Sequence, residues 1–431
     1  MAIKVQKRPI EVSDVGLLYN EILVGSQTWL RSSMPKGEVA YDSNFLCHSR
    51  SVFLTKHCYG IVMDLASGGN LANYVSSTAG KHVNSKGSRA VTAISEEQAR
   101  FIFKQLVLGL RHMETCMHCA HRDIKLDNIV IQSDGWQKDR KNAPESKRHC
   151  VGRVQFVDFQ FSKVCGDDGL TDFVGLLGTP VYMSPELLAL KFDPDLRAGQ
   201  NANEGNDTVC EYDATKADVW ALGITLVAML IAAFPYDDAE PTTMEGLERS
   251  IFRSQQSYPW RHAKCVRPFL SFLSKDCISL IDGVLERDPS KRLTVEQILA
   301  HPWVEKDFQT RTMRKTWDSI LHDEAEHIRM TQVCLTNDVR EEDKAAVFNR
   351  LHARNAAIRE LLMISTKPYD PDCSVLKRVR TEDQLKRLKA QLEVFDRQEI
   401  ADVIDLRTFE HDHSLEIDLD MMKIYCIPGR H

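Results

Sequence analysis

Two hydrophobic rhythms divide the chain. In the first third, short apolar runs predict strands at Ala2–Val5, Val52–Thr55 and Cys58–Met63, the last two as a hairpin. Between them, Leu17, Leu18, Ile22 and Leu23 predict a helix over Ser13–Val24, with Ser13 as its N-cap. Ser67-Gly68-Gly69 breaks the pattern and a helix restarts at Leu71. Ala99, Ile102, Phe103, Leu106, Val107 and Leu110 then recur at helical spacing, which predicts a helix over Ser95–Met113. Ile129–Ile131 and Val154–Val157 read as strands, separated by a polar surface insertion at about 133–152. From Pro185 onward the spacing is mainly helical: Ala217–Ala233, Phe269–Glu286 and Val295–Ala300, with a second polar insertion at about 191–213. A strand-rich start and a helix-rich remainder predict an α+β chain in two lobes. After Val304 the tail has helical spacing at Ala345–Leu362 and Thr381–Val403, then an acidic stretch, Glu410–Asp420.

Composition narrows the function classes. The net charge of −6 gives no basic field for nucleic acid, so none is expected as a partner. The longest apolar run, Val219–Phe234, stops at Pro235 and falls short of the ~20 residues a membrane span needs; a buried helix is expected, and no membrane partner. The 12 scattered cysteines and the absence of a signal-like start predict free thiols in a reducing compartment, cytoplasmic or nuclear. Cys47, His48, His57 and Cys58 form one cysteine/histidine cluster, and Cys116, His118, Cys119 and His121 another. Neither has structural-zinc spacing, so both read as buried side chains and turn residues.

The chemistry lies in an ordered set of motifs. His121-Arg122-Asp123-Ile124-Lys125-Leu126-Asp127-Asn128 comes first, then Val157-Asp158-Phe159, Gly178-Thr179-Pro180 and Ser184-Pro185-Glu186. In this order the set resembles the eukaryotic-type protein kinase family, serine/threonine branch. The resemblance implies an α+β, bilobal protein-kinase-like fold. It also implies transfer of the γ-phosphoryl group of ATP, with Mg²⁺, to Ser/Thr hydroxyls of protein substrates. That reaction needs an aligned nucleophile, clamped phosphates and neutralising metal ions. Asp123 matches the position that orients the hydroxyl, and Lys125 the one beside the transferring phosphate. Asn128 and Asp158 match the magnesium positions, and their hard oxygens suit that ion.

Further landmarks extend the resemblance over about residues 1–304. Asp218-Val219-Trp220-Ala221-Leu222-Gly223 resembles the start of the central buried helix, with Asp218 holding the catalytic loop. Arg292 resembles the late-lobe arginine that pairs with a glutamate, here Glu186, and His301-Pro302-Trp303 resembles the end of the domain. Val52–Met63 and Asp218–Phe234 look closest to the calcium/calmodulin-dependent and SNF1-related group. Met63 is then the gatekeeper, and Asp64, Leu65 and Ala66 the hinge that pairs adenine. Met1-Ala2-Ile3-Lys4 resembles the strand carrying the phosphate-binding lysine, which makes Lys4 that lysine and Glu21 its ion-pair partner. The expected division is a kinase domain at 1–304, with a partial small lobe and hinge at 1–66 and a large lobe at 67–304. A helical and acidic extension follows at 305–431. For it a regulatory partner and a structural packing against the last lobe both stand.

Four departures accompany the resemblance. No Gly-rich hairpin precedes Met63, so two strands of a truncated N-terminal β lobe are expected to be absent, with an open edge at Ile3 and Val5. Either upstream sequence is missing or the chain is a natural variant of weak nucleotide affinity. Gln160 stands where the family has glycine, whose backbone freedom glutamine lacks. Gly175 and Leu176 stand where relatives carry a phosphorylatable hydroxyl that Arg122 would serve; the nearest is Thr171. Asn70 is neutral where basophilic relatives carry glutamate. A kinase-fold scaffold without activity is the alternative favoured by the first two departures. A small-molecule kinase is opposed by Gly178-Thr179-Pro180 with Ser184-Pro185-Glu186, which shape a peptide ledge.

Overall fold

The computed structural model describes residues 1–26, 43–55, 58–78, 80–83, 89–92, 94–132, 152–166, 168–173, 175–192, 210–236, 244–247, 249, 251, 258–332, 341–367 and 400–405. The expected insertions lie almost wholly outside these residues, as do His57, the acidic stretch Glu410–Asp420 and most of Thr381–Val403. The strands are β1 (Ala2–Lys7), β2 (Ser49–Thr55), β3 (Cys58–Met63), β4 (Gly80–Val83), β5 (Arg89–Thr92), β6 (Cys119–Ala120), β7 (Ile129–Gln132), β8 (Arg153–Phe156), β9 (Lys163–Val164), β10 (Leu170–Asp172), β11 (Glu211–Asp213) and β12 (Ile400–Asp405). The principal helices are α1 (Val15–Gly25), α2 (Leu71–Thr78), α3 (Glu96–Thr115), α4 (Pro185–Phe192), α5 (Ala214–Ile231), α6 (Lys275–Val284), α7 (Val295–Leu299), α8 (Arg311–Gln332) and α9 (Glu341–Ser365). They divide into two compact units. One holds Met1–Ala66, Asp158–Gln160 and Glu324–His431; the other holds Ser67–Val157 and Phe161–Asp323.

The first unit is built on an antiparallel sheet of order β1-β3-β2-β12. Alternation sets its faces. Val52, Leu54, Tyr59 and Ile61 pack with Leu18, Ile22 and Leu23 of α1 in one buried cluster. Ile3, Phe53, Cys58 and Val62 form a second. Among the described residues β1 is an edge strand. α9 completes the first cluster with Ala357, Ile358, Leu361 and Leu362. The Ser365 carbonyl accepts from the Ile10 amide at 3.0 Å. Ser43 Oγ and the Asn44 amide both donate to the buried Glu324 of α8, at 2.7 and 2.9 Å.

Two expectations are corrected in this unit. Ser13 does not cap α1, because a 3₁₀ turn over Val12–Asp14 takes it in and Asp14 flanks the helix instead. Ile400–Val403, the end of the expected helix, instead belong to a strand, Ile400–Asp405, which pairs with β2 in a register that sets Val403 against Phe53. The open backbone groups along β2 and the β-branched Ile400, Val403 and Ile404 favour an extended chain there.

The second unit is helical around α3 and α5. Ser95 starts α3 with a capping box: its hydroxyl accepts from the Gln98 amide while the Gln98 side chain accepts from the Ser95 amide. α5 is buried along nearly its whole length and starts at Asp213, which accepts from the Lys216 amide. By length and composition it could cross a membrane, but 89% of it is buried inside the protein. The helix expected over Phe269–Glu286 is two pieces, a 3₁₀ turn at Arg267–Phe269 and then α6. The Ser274 hydroxyl accepts from the Cys277 amide and so restarts the helix. Phe101 packs edge-on to Phe308 and to Trp317 of α8, with ring centroids 5.2 and 5.9 Å apart. The tail thus contributes to both cores. All eight described cysteines are free, and seven are buried.

Candidate active site

The loop His121–Asn128 of the second unit is held by α5. Asp218, in its first turns, accepts from the His121 amide at 2.6 Å and the Arg122 amide at 2.9 Å. Burial pushes its carboxyl up to about 7, against the lowering effect of those two amides. Arg122 is held at φ 67°, outside the ordinary region for a side-chain-bearing residue. Positive φ at such a residue costs energy and is retained where surrounding contacts enforce it. Here the two hydrogen bonds accepted by Asp218 do so.

Held in this way, Asp123 becomes the centre of a dense network. Its Oδ2 accepts from Lys125 Nζ at 2.7 Å and from Asn128 Nδ2 at 2.8 Å. Its Oδ1 accepts from the Thr179 hydroxyl at 3.1 Å, and Lys125 Nζ also donates to that hydroxyl at 2.9 Å. Asp123, Lys125 and Asn128 are all buried. Asn128 also donates to the Asp123 carbonyl at 2.9 Å, so its amide nitrogen is committed and Oδ1 is the atom suited to a cation. The loop's last residues run into β7, which pairs with β8 in the register Ile129↔Phe156.

Thr179 joins this network although the motif reading gave it no role; only its place in Gly178-Thr179-Pro180 signalled it. Gly178 explains the motif. It has φ 97°, and a Cβ there would lie 2.7 Å from the Arg122 carbonyl oxygen. Only glycine lets the segment approach the loop closely enough for Thr179 to bond Asp123.

The first unit gathers three of the predicted residues. Lys4 on β1 donates to both carboxylate oxygens of Glu21 on α1, at 2.7 and 2.8 Å, and to Asp158 Oδ1 at 3.2 Å. Burial opposes charge on Lys4, but Glu21 and Asp158 outweigh it and raise its pKa. Burial pushes Glu21 up, with Lys4 pulling the other way. Asp158 is a second strained residue, at φ 66°. Gln160 lies in a 3₁₀ turn, Phe159–Phe161, and has no positive φ, so in this conformation glycine's freedom is not required.

The expected hinge ends β3 in the same unit. Met63 packs against the apolar cluster shared by α1 and α9. Arg50 clamps Asp64 through two hydrogen bonds of 2.9 Å, and the Asp64 amide donates to the His48 carbonyl at 3.1 Å. Ala66 ends the first segment of that unit, and Leu65 precedes it. Arg292 and Glu186 of the second unit meet through two hydrogen bonds, at 2.7 and 2.8 Å. The Asn70 side chain accepts from the Asn73 amide at 2.9 Å at the start of α2, the work of a helix cap.

Residues 39–304 match the family model described as protein kinase domain. Lys4 and Glu21 precede the matched residues. The serine/threonine-protein kinase SRK2C of Arabidopsis thaliana is 31% identical over 261 residues, 60% of this chain and 58% of that relative. The serine/threonine-protein kinase SAPK9 of Oryza sativa subsp. japonica is 30% identical over 266 residues, 61% of this chain and 57% of that relative. An abscisic acid-inducible protein kinase of Triticum aestivum is 31% identical over 255 residues, with 59% of each chain covered. The chain therefore spans under two thirds of the length of these relatives.

Proposed function

The chain belongs to the protein kinase family, and from that premise we propose that it is an ATP-dependent protein serine/threonine kinase, using Mg²⁺ and acting on protein substrates. The observation that carries this reading is the Asp123 network. Its carboxylate is oriented by Lys125, Asn128 and Thr179. A carboxylate fixed in this way orients a substrate hydroxyl and takes up its proton as phosphoryl transfer proceeds. Lys125 places a positive charge beside it, suited to the negative charge of the transferring group.

The donor set fits the proposed cofactors. Asn128 Oδ1 and the Asp158 carboxylate are hard oxygen donors of the kind magnesium takes, and Lys4, held charged, is a partner for phosphate oxygens. Magnesium-bound ATP supplies the phosphoryl group and neutralises charge on its phosphates. The hinge residues Met63, Asp64 and Ala66 belong to the same proposal as adenine neighbours. So does a cytoplasmic or nuclear location, which the free thiols support. A regulatory partner for the tail has no separate support, since α9 is already packed on α1.

The test is phosphate transfer from Mg-ATP to a generic Ser/Thr peptide, with thermal melting alongside. Transfer that disappears in Asp123→Asn, together with a rise in melting temperature on Mg-ATP binding, is the expected result. No transfer and no shift at millimolar ATP would leave the chain as a scaffold.

A further inference from the structure

Arg122 precedes the catalytic Asp123, and the sequence offers no hydroxyl at Gly175 or Leu176 for it to meet as a phosphate. Thr171, the nearest, is buried in the middle of β10. There it stands opposite Tyr212 of β11, in the register Leu170↔Asp213, Thr171↔Tyr212, Asp172↔Glu211. The ladder is closed at both ends. The Phe173 amide donates to the Cys210 carbonyl at 2.7 Å, and the Ala214 amide to the Gly169 carbonyl at 3.1 Å. Gly169, at φ 81°, makes the turn that aims β10 at β11.

The side chains of this ladder form a small core. Tyr212, Cys210 and Ala214 are buried with Cys165, Ala120 and Leu190. Phe173 meets Tyr212 edge-on at 6.3 Å. Burial pushes the Tyr212 hydroxyl up to about 12, with the positive charge of Arg122 pulling the other way. Both residues line one cavity together with Asp123, Asp218 and Thr179. Among the described residues the buried Nε of Arg122 has no acceptor. Lys163 and Asp172 add an ion pair at 3.3 Å, but both are partly exposed to solvent, so it contributes little. Apolar burial does most of the holding.

We infer that Tyr212 is a positioning residue: with β11 it anchors the activation segment and holds Arg122, so that Asp123 is set without a phosphate on that segment. The catalytic part of this inference rests on the kinase reading above; the anchoring does not. The order of events is physical. Residues 210–214 pair with the segment, the core closes over Tyr212, and Tyr212 borders the cavity that Arg122 also lines.

The test uses the full chain, treated with a broad-specificity phosphatase until mass spectrometry finds no phosphate on residues 158–186. Its kcat is expected to stay within about twofold of the untreated protein, and Thr171→Val likewise. Tyr212→Phe, which keeps the ring and removes the hydroxyl, is expected to lower kcat about tenfold while leaving the KM for ATP within about twofold. A large loss on dephosphorylation that rephosphorylation restores, or an unchanged kcat in Tyr212→Phe, overturns the inference. Amide hydrogen exchange gives a readout that does not depend on activity. In phosphate-free protein the amides of 170–173 are expected to be protected, and Tyr212→Phe to speed exchange at the Arg122 amide. Unprotected amides, or an unchanged Arg122 amide, overturn the inference even if no transfer occurs. Protection without transfer sinks the kinase reading and leaves the anchoring in place.

Discussion

Lys4 and Glu21 lie on different elements of the small unit and meet at 2.7 Å, with the glutamate side chain only 3% exposed. A carboxylate this deep is stable as a charge only while its partner stays. Lys4→Met is therefore expected to destabilise the protein by on the order of 2 kcal/mol, discounted from the fully buried case because Lys4 is itself partly exposed. Urea unfolding measures it. The same variant, assayed under the kinase proposal, is expected to lose at least about a hundredfold in kcat/KM. A variant as stable and as active as wild type would remove Lys4 from the site.

Arg292 presents a different case. It is 1% exposed. Besides Glu186, its Nε donates to the Glu286 carbonyl at 2.8 Å and its Nη1 to the Lys216 carbonyl at 2.7 Å. The planar fork reaches these acceptors at once, whereas an ammonium is a point charge. Arg292→Lys is expected to cost about 2–4 kcal/mol in chemical denaturation, and Arg292→Ala more, since it leaves Glu186 without its partner. A lysine variant with an unchanged midpoint would show that the fork geometry is not used.

Asp218 gives a pH signature. Its folded pKa of about 7 lies above the ordinary 3.8, so its contribution to stability is fully present below about pH 3.8 and lost as pH rises through 7. Asp218→Asn does not titrate. It is expected to be less stable than wild type at pH 5, because an amide serves two backbone donors less well. The gap is expected to narrow between pH 5 and pH 8. Melting curves across that range check it, and a gap that widens with pH would contradict the raised pKa.

The tail is part of the core. Leu361 of α9 is fully buried in the cluster that holds α1. Leu361→Ala is expected to cost about 2–5 kcal/mol, the range for a large-to-small change at a packed site. Unfolding by urea measures the loss. A cost typical of a surface position, under about 0.5 kcal/mol, would mean that α9 is not bound where it is placed.

The sequence by itself determined most of the elements and the family. Periodicity located α1, α3 and α5 because one face of each must be buried, and that face repeats every few residues. The ordered motifs around Asp123, Asp158, Gly178 and Asp218 marked the family, because each depends on a residue type at a fixed local spacing. The Lys4–Glu21 pairing was also legible, through the resemblance of Met1-Ala2-Ile3-Lys4 to the family's lysine-bearing strand. Local reading failed where a hydrogen bond outranked periodicity, as with the 3₁₀ turn that takes in Ser13 and the Ser274 cap that splits Phe269–Glu286. It failed again where a partner strand decided the outcome, as β2 does for residues 400–405.

Only the tertiary structure decided the rest. Thr179 reaches Asp123, Tyr212 faces Arg122 and α9 packs on α1 through contacts between residues far apart along the chain. No local spacing encodes such contacts, because burial and pairing select their partners only when distant segments close together.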